Sequence, residues 1–167
     1  MGACAISVYD KNKSYDSIKK LTDRGMTQCN IHYMVANETY EGAFRLMDDR
    51  LTDPRLAKLN AIVFLSLKPK GRAKGNFTSL TQEQFATLVE YALDRNITIG
   101  FDSCGCGKFI KSVENHPKFE LFRQLAEPCE STRYSAYISS TGHYFPCSFM
   151  DGETVENGGS WTEGLDV

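Results

Sequence analysis

The chain has 167 residues, a one-domain length, with 41% hydrophobic and 24% charged positions. That composition excludes a disordered tail, a collagen-like repeat and a low-complexity linker. Nineteen basic against 21 acidic residues give a net charge of −2, too balanced to select nucleic acid or an anionic membrane as partner.

Residues 3–9 (Ala3 to Tyr9) are a short apolar run closed by Asp10, Asn12 and Lys13, which predicts a buried strand. Ser14 is the expected cap of a helix reaching Arg24, with Ile18 and Leu21 on its apolar stripe and Gly25 as its stop. Residues 28–35 predict a second strand. Asn37 opens a second helix that carries Tyr40, Ala43, Phe44 and Met47 on one face. Residues 60–67 are almost wholly apolar, as in a parallel strand covered on both faces. Thr81 and Gln84 form a capping box for a third helix bearing Phe85, Leu88, Val89, Ala92 and Leu93. Residues 97–101 predict a fourth strand. A β-α-β-α-β-α-β series of this kind gives a parallel sheet, either an open α/β layer or part of a β/α barrel.

The pattern changes after Phe101. Asp102 to Gly107 reads as a tight Gly/Cys turn, followed by short helices at 108–114 and 117–125. Residues 134–139 alternate and lead through Thr141-Gly142 to Tyr144-Phe145, which predicts a β-hairpin. Residues 151–167 carry five acids and no base and read as a loose acidic tail. The expected organisation is therefore a β/α part at 1–101, a cysteine-rich part at 102–150 and the tail at 151–167.

Six cysteines stand at 4, 29, 104, 106, 129 and 147. The first residues lack a basic stretch before a long apolar one, so no secretory signal is visible and the expected setting is cytoplasmic. In that setting, clustered cysteines suit metal ligation more than disulfides. Cys4 and Cys29 fall inside strands and read as core residues. For Cys104, Cys106, Cys129 and Cys147 the core reading is the lesser alternative, since Cys129 and Cys147 each follow a proline turn and do not lie inside an apolar stripe. The hairpin lies between Cys129 and Cys147, and its turn would bring both thiols to one end. Three or four thiolates at a corner suit an iron–sulfur cluster or tetrahedral zinc, and the spacing does not choose between them. Cys-x-Cys at 104 and 106 is shorter than the knuckle usual for zinc.

The run Cys129-x12-Gly142-x4-Cys147 matches the Cys-x9–15-Gly-x4-Cys signature of the SPASM/twitch extension of radical S-adenosylmethionine (SAM) enzymes. The text "CESTRYSAYISSTGHYFPCSFM" looks like that extension throughout. "NAIVFLSLKPKGRA", "ACAISVYD" and "NIHYMV" resemble strands of the same enzymes, so the resemblance covers about residues 3–150. It implies a partial (β/α) barrel, of which this chain would supply the last three units, followed by a cluster-bearing extension. By the same resemblance Cys129 and Cys147 would be ligands of an auxiliary iron–sulfur cluster, of the [4Fe-4S] type. Cys104 would be the third ligand and Cys106 the fourth. Ser7, Asn30 and His32 would contact SAM, and the stretch ending at Leu67 would face its adenine. The family acts on peptide, protein or small-molecule substrates.

The family's Cys-x3-Cys-x2-Cys motif, which binds the SAM-cleaving cluster, is absent from this sequence. The chain therefore looks like a C-terminal half, from a split gene or a truncated reading frame. A separate N-terminal half is the expected partner, and this chain alone is not expected to cleave SAM. The alternative is a non-catalytic, zinc-stabilised α/β module that binds a partner chain. Lys68, Lys70, Arg72 and Lys74 form a basic loop that reads either as a solvated loop or as a holder of an anionic group. His32 reads equally as an interior histidine or a ligand contact, and His143 reads as a solvated turn residue.

Overall fold

A computed structural model describes residues 2–131 and 133–151; the expected acidic tail from 152 onward lies outside them. The chain divides into two compact units, Met1–Glu127 and Pro128–Val167.

The first unit is α/β. Strands β1 (Cys4–Ser7), β2 (Cys29–Val35), β3 (Ala61–Ser66) and β4 (Ile99–Phe101) form one sheet in the order β1-β2-β3-β4. Every pair is parallel, with Cys4 opposite Cys29, Ile31 opposite Ile62, and Phe64 opposite Phe101. Helices α1 (Lys11–Asp23), α2 (Tyr40–Thr52) and α3 (Gln82–Asp94) make the crossovers. Two shorter helices follow β4, α4 (Cys106–Ser112) and α5 (Phe119–Leu125).

The local chemistry explains these ends. Asp10, not Ser14, caps α1: its carboxylate accepts from the Lys13 N–H at 3.1 Å. Asp10, three residues past β1, reaches the open N–H groups one turn earlier than the serine could. Ser14 lies inside the helix and is buried. Gly25 stops α1 with φ +91°, a conformation glycine adopts without strain. Thr81 and Gln84 cap α3 reciprocally, as the sequence predicts: Thr81 Oγ1 accepts from the Gln84 N–H, and Gln84 Oε1 accepts from the Thr81 N–H.

One buried cluster holds the unit together. Tyr15 and Ile18 of α1, Ala43, Leu46 and Met47 of α2, and Phe85, Leu88, Val89 and Ala92 of α3 meet Cys29, Ile31, Val35, Ile62 and Phe64 of the sheet. All five sheet residues alternate onto the same face. The other face carries Ala5, Ser7, Asn30, His32, Ala61, Val63 and Leu65, none of which is buried. This corrects the expectation that the apolar 60–67 strand is covered on both faces. When consecutive parallel strands are also neighbours, crossovers of one hand place every connecting helix on the same side. Ile62 and Phe64 are therefore buried, whereas Val63 and Leu65 are only half-buried.

Two contacts set how closely the helices approach. The Tyr33 hydroxyl donates to the Thr39 carbonyl at 3.1 Å and lies over Gly42 of α2, where an added methyl would overlap it. The Tyr15 hydroxyl donates to Asp49 at 2.9 Å, tying α1 to α2. Burial first, and then that bond to Asp49, hold the Tyr15 hydroxyl in its protonated form well above its ordinary range.

In the second unit, β5 (Tyr137–Ile138) and β6 (Tyr144–Phe145) pair antiparallel. The hairpin is shorter than 134–139 implies, because the Tyr134 and Ser135 N–H groups turn back to the Glu130 carbonyl.

Substituting Gly42→Ala should lower stability by about 1–3 kcal/mol, because the overlap must be relieved by moving Tyr33 or α2. The loss should shrink in a Tyr33→Phe background, where the overlapping oxygen is gone; urea unfolding of the four proteins measures this. Tyr15 should also give an alkaline signature. Its folded-state titration lies above that of the unfolded chain, so its contribution is complete below about pH 10 and is lost as pH rises beyond that. Unfolding measured from pH 8 to 11 should show the decline, and Tyr15→Phe should make it shallower.

Candidate functional site

In parallel α/β sheets the chemistry gathers at the carboxyl ends of the strands. Here that end is organised by Asp102, the residue after β4. Its carboxylate accepts from the Ser66 N–H at 3.2 Å and from the Gly105 N–H at 3.1 Å. It also pairs with the Lys68 ammonium. Its own N–H donates to the Phe64 carbonyl at 3.3 Å. One carboxylate thus joins the end of β3, the basic loop and the turn before α4. Less than a fifth of either side chain is exposed, so the pair is well shielded from water. Lys68 is therefore engaged with Asp102, which the solvated reading of the basic loop does not anticipate.

Cys104 and Cys106 flank this turn. Gly105 between them is buried, and a methyl there would come within 2.8 Å of Ser66 Oγ and 3.3 Å of Asp102 Oδ1. The two thiols border different cavities. Cys104 is exposed and lines a cavity of about 210 Å3 with Ser66, Leu67, Lys68, Leu80 and Lys108. Cys106 is half-buried and lines a cavity of about 460 Å3 beside β4, with Phe101, Phe109 and Phe122. Lys108 is anchored by donating to the Leu80 carbonyl at 2.5 Å.

The strand residues fall as follows. Ser7 and His32 are register partners, and Asn30 is two residues before His32, so all three share the face not covered by helices. Ser7 is exposed; Asn30 and His32 are half-buried. Asn30 Oδ1 accepts from Asn60 Nδ2 at 2.9 Å. Leu67 lies past β3 on the smaller cavity. Cys29 is fully buried, and burial, with Cys4 beside it, pushes its thiol up from its ordinary range.

In the second unit Cys129 is exposed and Cys147 half-buried. The Ser131 hydroxyl donates to the Pro146 carbonyl at 3.1 Å, which ties together the two segments that carry these cysteines. Cys147 Sγ accepts from the Phe149 N–H at 3.5 Å. A backbone N–H aimed at sulfur is a contact that tunes cluster thiolates. Gly142 turns the hairpin with φ +81°. His143 is exposed, with Nδ1 3.1 Å from Thr141 Oγ1. Among the described residues, no group of three or more His, Cys, Asp or Glu side chains is placed to hold a metal ion, and no helix is long and apolar enough to cross a membrane.

Sequence reasoning did not single out Asp102, Lys108 or the aromatic cavity. Asp102 had a local signal, since Asp followed three residues later by Gly is a turn-capping pattern. Phe101, Phe109 and Phe122 follow no single period, so only the tertiary packing brings them together. Comparison with models of known families, with curated proteins and with solved structures gave no match.

Asp102→Ala should destabilise the chain by about 2–3 kcal/mol, because two N–H groups and a shielded ammonium lose their acceptor. Asp102→Asn keeps an acceptor oxygen and should cost about half as much. Chemical denaturation at neutral pH compares the two.

Proposed function

We propose that this chain is the C-terminal part of a radical SAM-type iron–sulfur protein that holds an auxiliary cluster near a peptide or small-molecule substrate. The observation that carries this reading is the β5–β6 hairpin. It lies between Cys129 and Cys147, turns at Gly142, and has its two cysteine-bearing segments tied by Ser131 and Pro146.

The sheet supports the same reading. A doubly wound sheet reverses its strand order at a switch point, with helices on both faces. Here the order is sequential and the buried cluster lies on one face, as expected for consecutive units of a partial (β/α) barrel. The opposite face, with Ser7, Asn30 and His32, would be the barrel interior. SAM would bind there only once a separate N-terminal half completes the site. Cys129 and Cys147 would ligate the cluster, with Cys104 third and Cys106 fourth. The backbone N–H on Cys147 Sγ suits such a ligand, and a reducing cytoplasm would keep the thiols available. When bound, such a cluster supplies electron transfer or an open iron coordination position.

Zinc is the second reading, because the same soft ligands would hold it in a non-catalytic module that binds a partner chain. Anaerobic reconstitution of the full chain with iron and sulfide should give a brown protein with broad absorbance near ~400 nm. Cys129→Ala and Cys147→Ala should each reduce bound iron at least severalfold. A colourless protein with stoichiometric zinc supports the second reading, and a reconstituted protein binding neither metal overturns both. SAM and reductant added to the reconstituted chain should release no 5′-deoxyadenosine.

A further inference from the structure

The larger cavity lies in the first unit, beside the last strand of the sheet. Register and hydrogen bonds fix what β4 presents to it. Ile62 donates its N–H to the Thr98 carbonyl at 3.1 Å, and Asp102 donates to the Phe64 carbonyl at 3.3 Å. Ile62 pairs with Ile99, and Phe64 with Phe101. In a parallel ladder alternate residues turn their backbone groups toward a given neighbour. Thr98, Gly100 and Asp102 therefore face β3. The N–H and C=O groups of Ile99 and Phe101 face the other way, where the sheet has no further strand among the described residues.

That outer edge opens into the cavity of about 460 Å3, a size typical of ligand sites. Phe109 of α4 and Phe122 and Leu125 of α5 wall it, with Ile97 below. Phe101 stacks on Phe109 with ring centroids 4.8 Å apart, and Phe109 meets Phe122 edge-on at 5.7 Å. Leu125 is 70% exposed although it borders this apolar space. The lining carries no Lys, Arg or His; of its two carboxylates Asp102 is already paired with Lys68, which leaves Glu127 to set the local charge. Glu127 is exposed.

We infer that the β4 edge and its cavity bind an extended peptide segment, with one apolar side chain seated among the phenylalanines and a basic residue toward Glu127. Three features select this occupant. Two outward donors and two outward acceptors, spaced by two residues of strand, match another backbone, not a compact small molecule. The aromatic walls beside that edge give one side chain a pocket. Glu127 beside the edge favours a cationic segment over a second copy of this chain, which would bring a three-residue edge and the same glutamate. This inference stands on backbone geometry and the aromatic cavity and requires no cluster, although Cys106, the proposed fourth ligand, borders the same cavity.

The test uses the full chain both kept metal-free with a chelator and after reconstitution, and binding is expected in both states. The probe is a fluorescein-labelled synthetic peptide of alternating threonine and valine, with a central leucine and a lysine at each end. Fluorescence polarisation should show saturable binding. N-methylating both backbone amides that flank the leucine should weaken it about tenfold or more, since one of the two faces β4 in either register, and its methyl removes that donor and blocks the edge. Leu125→Asp should weaken binding similarly while leaving the circular dichroism spectrum unchanged. Glu127→Lys should reverse the preference, favouring a glutamate-ended version of the peptide. Absence of binding, equal binding of the N-methylated peptide, or indifference to Leu125→Asp each overturns the proposal. So does self-association, seen by sedimentation without peptide, that Leu125→Asp abolishes, because the occupant would then be a second copy.

Discussion

A parallel sheet whose strands follow one another in space in the same order as in the chain can bury only one of its faces with its own crossover helices. The rest of the first unit depends on that constraint. It places Ile31, Ile62 and Phe64 under α1, α2 and α3, and it leaves Ser7, Asn30 and His32 on the side that the helices do not reach. It also leaves two edges, β1 and β4, each with one neighbouring strand. Edges of this kind are normally short, and these are four and three residues long.

The carboxyl end of the sheet shows a second level of organisation. Strand ends in α/β proteins are loops, and loops need fixing before they can hold a ligand in one geometry. Asp102 does this by accepting hydrogen bonds from two backbone N–H groups while it pairs with Lys68. The smaller cavity bordered by Lys68, Lys108 and Cys104 therefore rests on a tethered turn, not on a free loop.

Most of the sheet and its helices were legible in the sequence, because the information is local. The capping box at Thr81 and Gln84, the stop at Gly25 and the stripe through Phe85, Leu88, Val89 and Ala92 each state their role within a few residues. The cap of α1 is ambiguous in the sequence because Asp10 and Ser14 are both competent caps, and where the chain turns after β1 decides between them. The half-covered state of Val63 and Leu65 was not legible at all. An apolar strand reads alike whether one face or both are covered, and strand order is a property of the whole sheet. The site divides in the same way. Cys129, Gly142 and Cys147 carry a spacing that can be read, whereas Asp102 and Lys108 act through Ser66 and Leu80, far from them in sequence.

Gly105 gives the Cys104–Cys106 pair another meaning. A reader of motifs takes Cys-Gly-Cys as a unit shaped for its metal. Yet the middle position is approached from the far side by Ser66 Oγ at the end of β3, 2.8 Å from where a methyl would stand, so a larger residue fits only if Ser66 moves. The glycine answers to a neighbouring strand and to the Asp102 tether as much as to the two thiols beside it. The spelling of the motif thus records the architecture beneath it, whatever the thiols go on to bind.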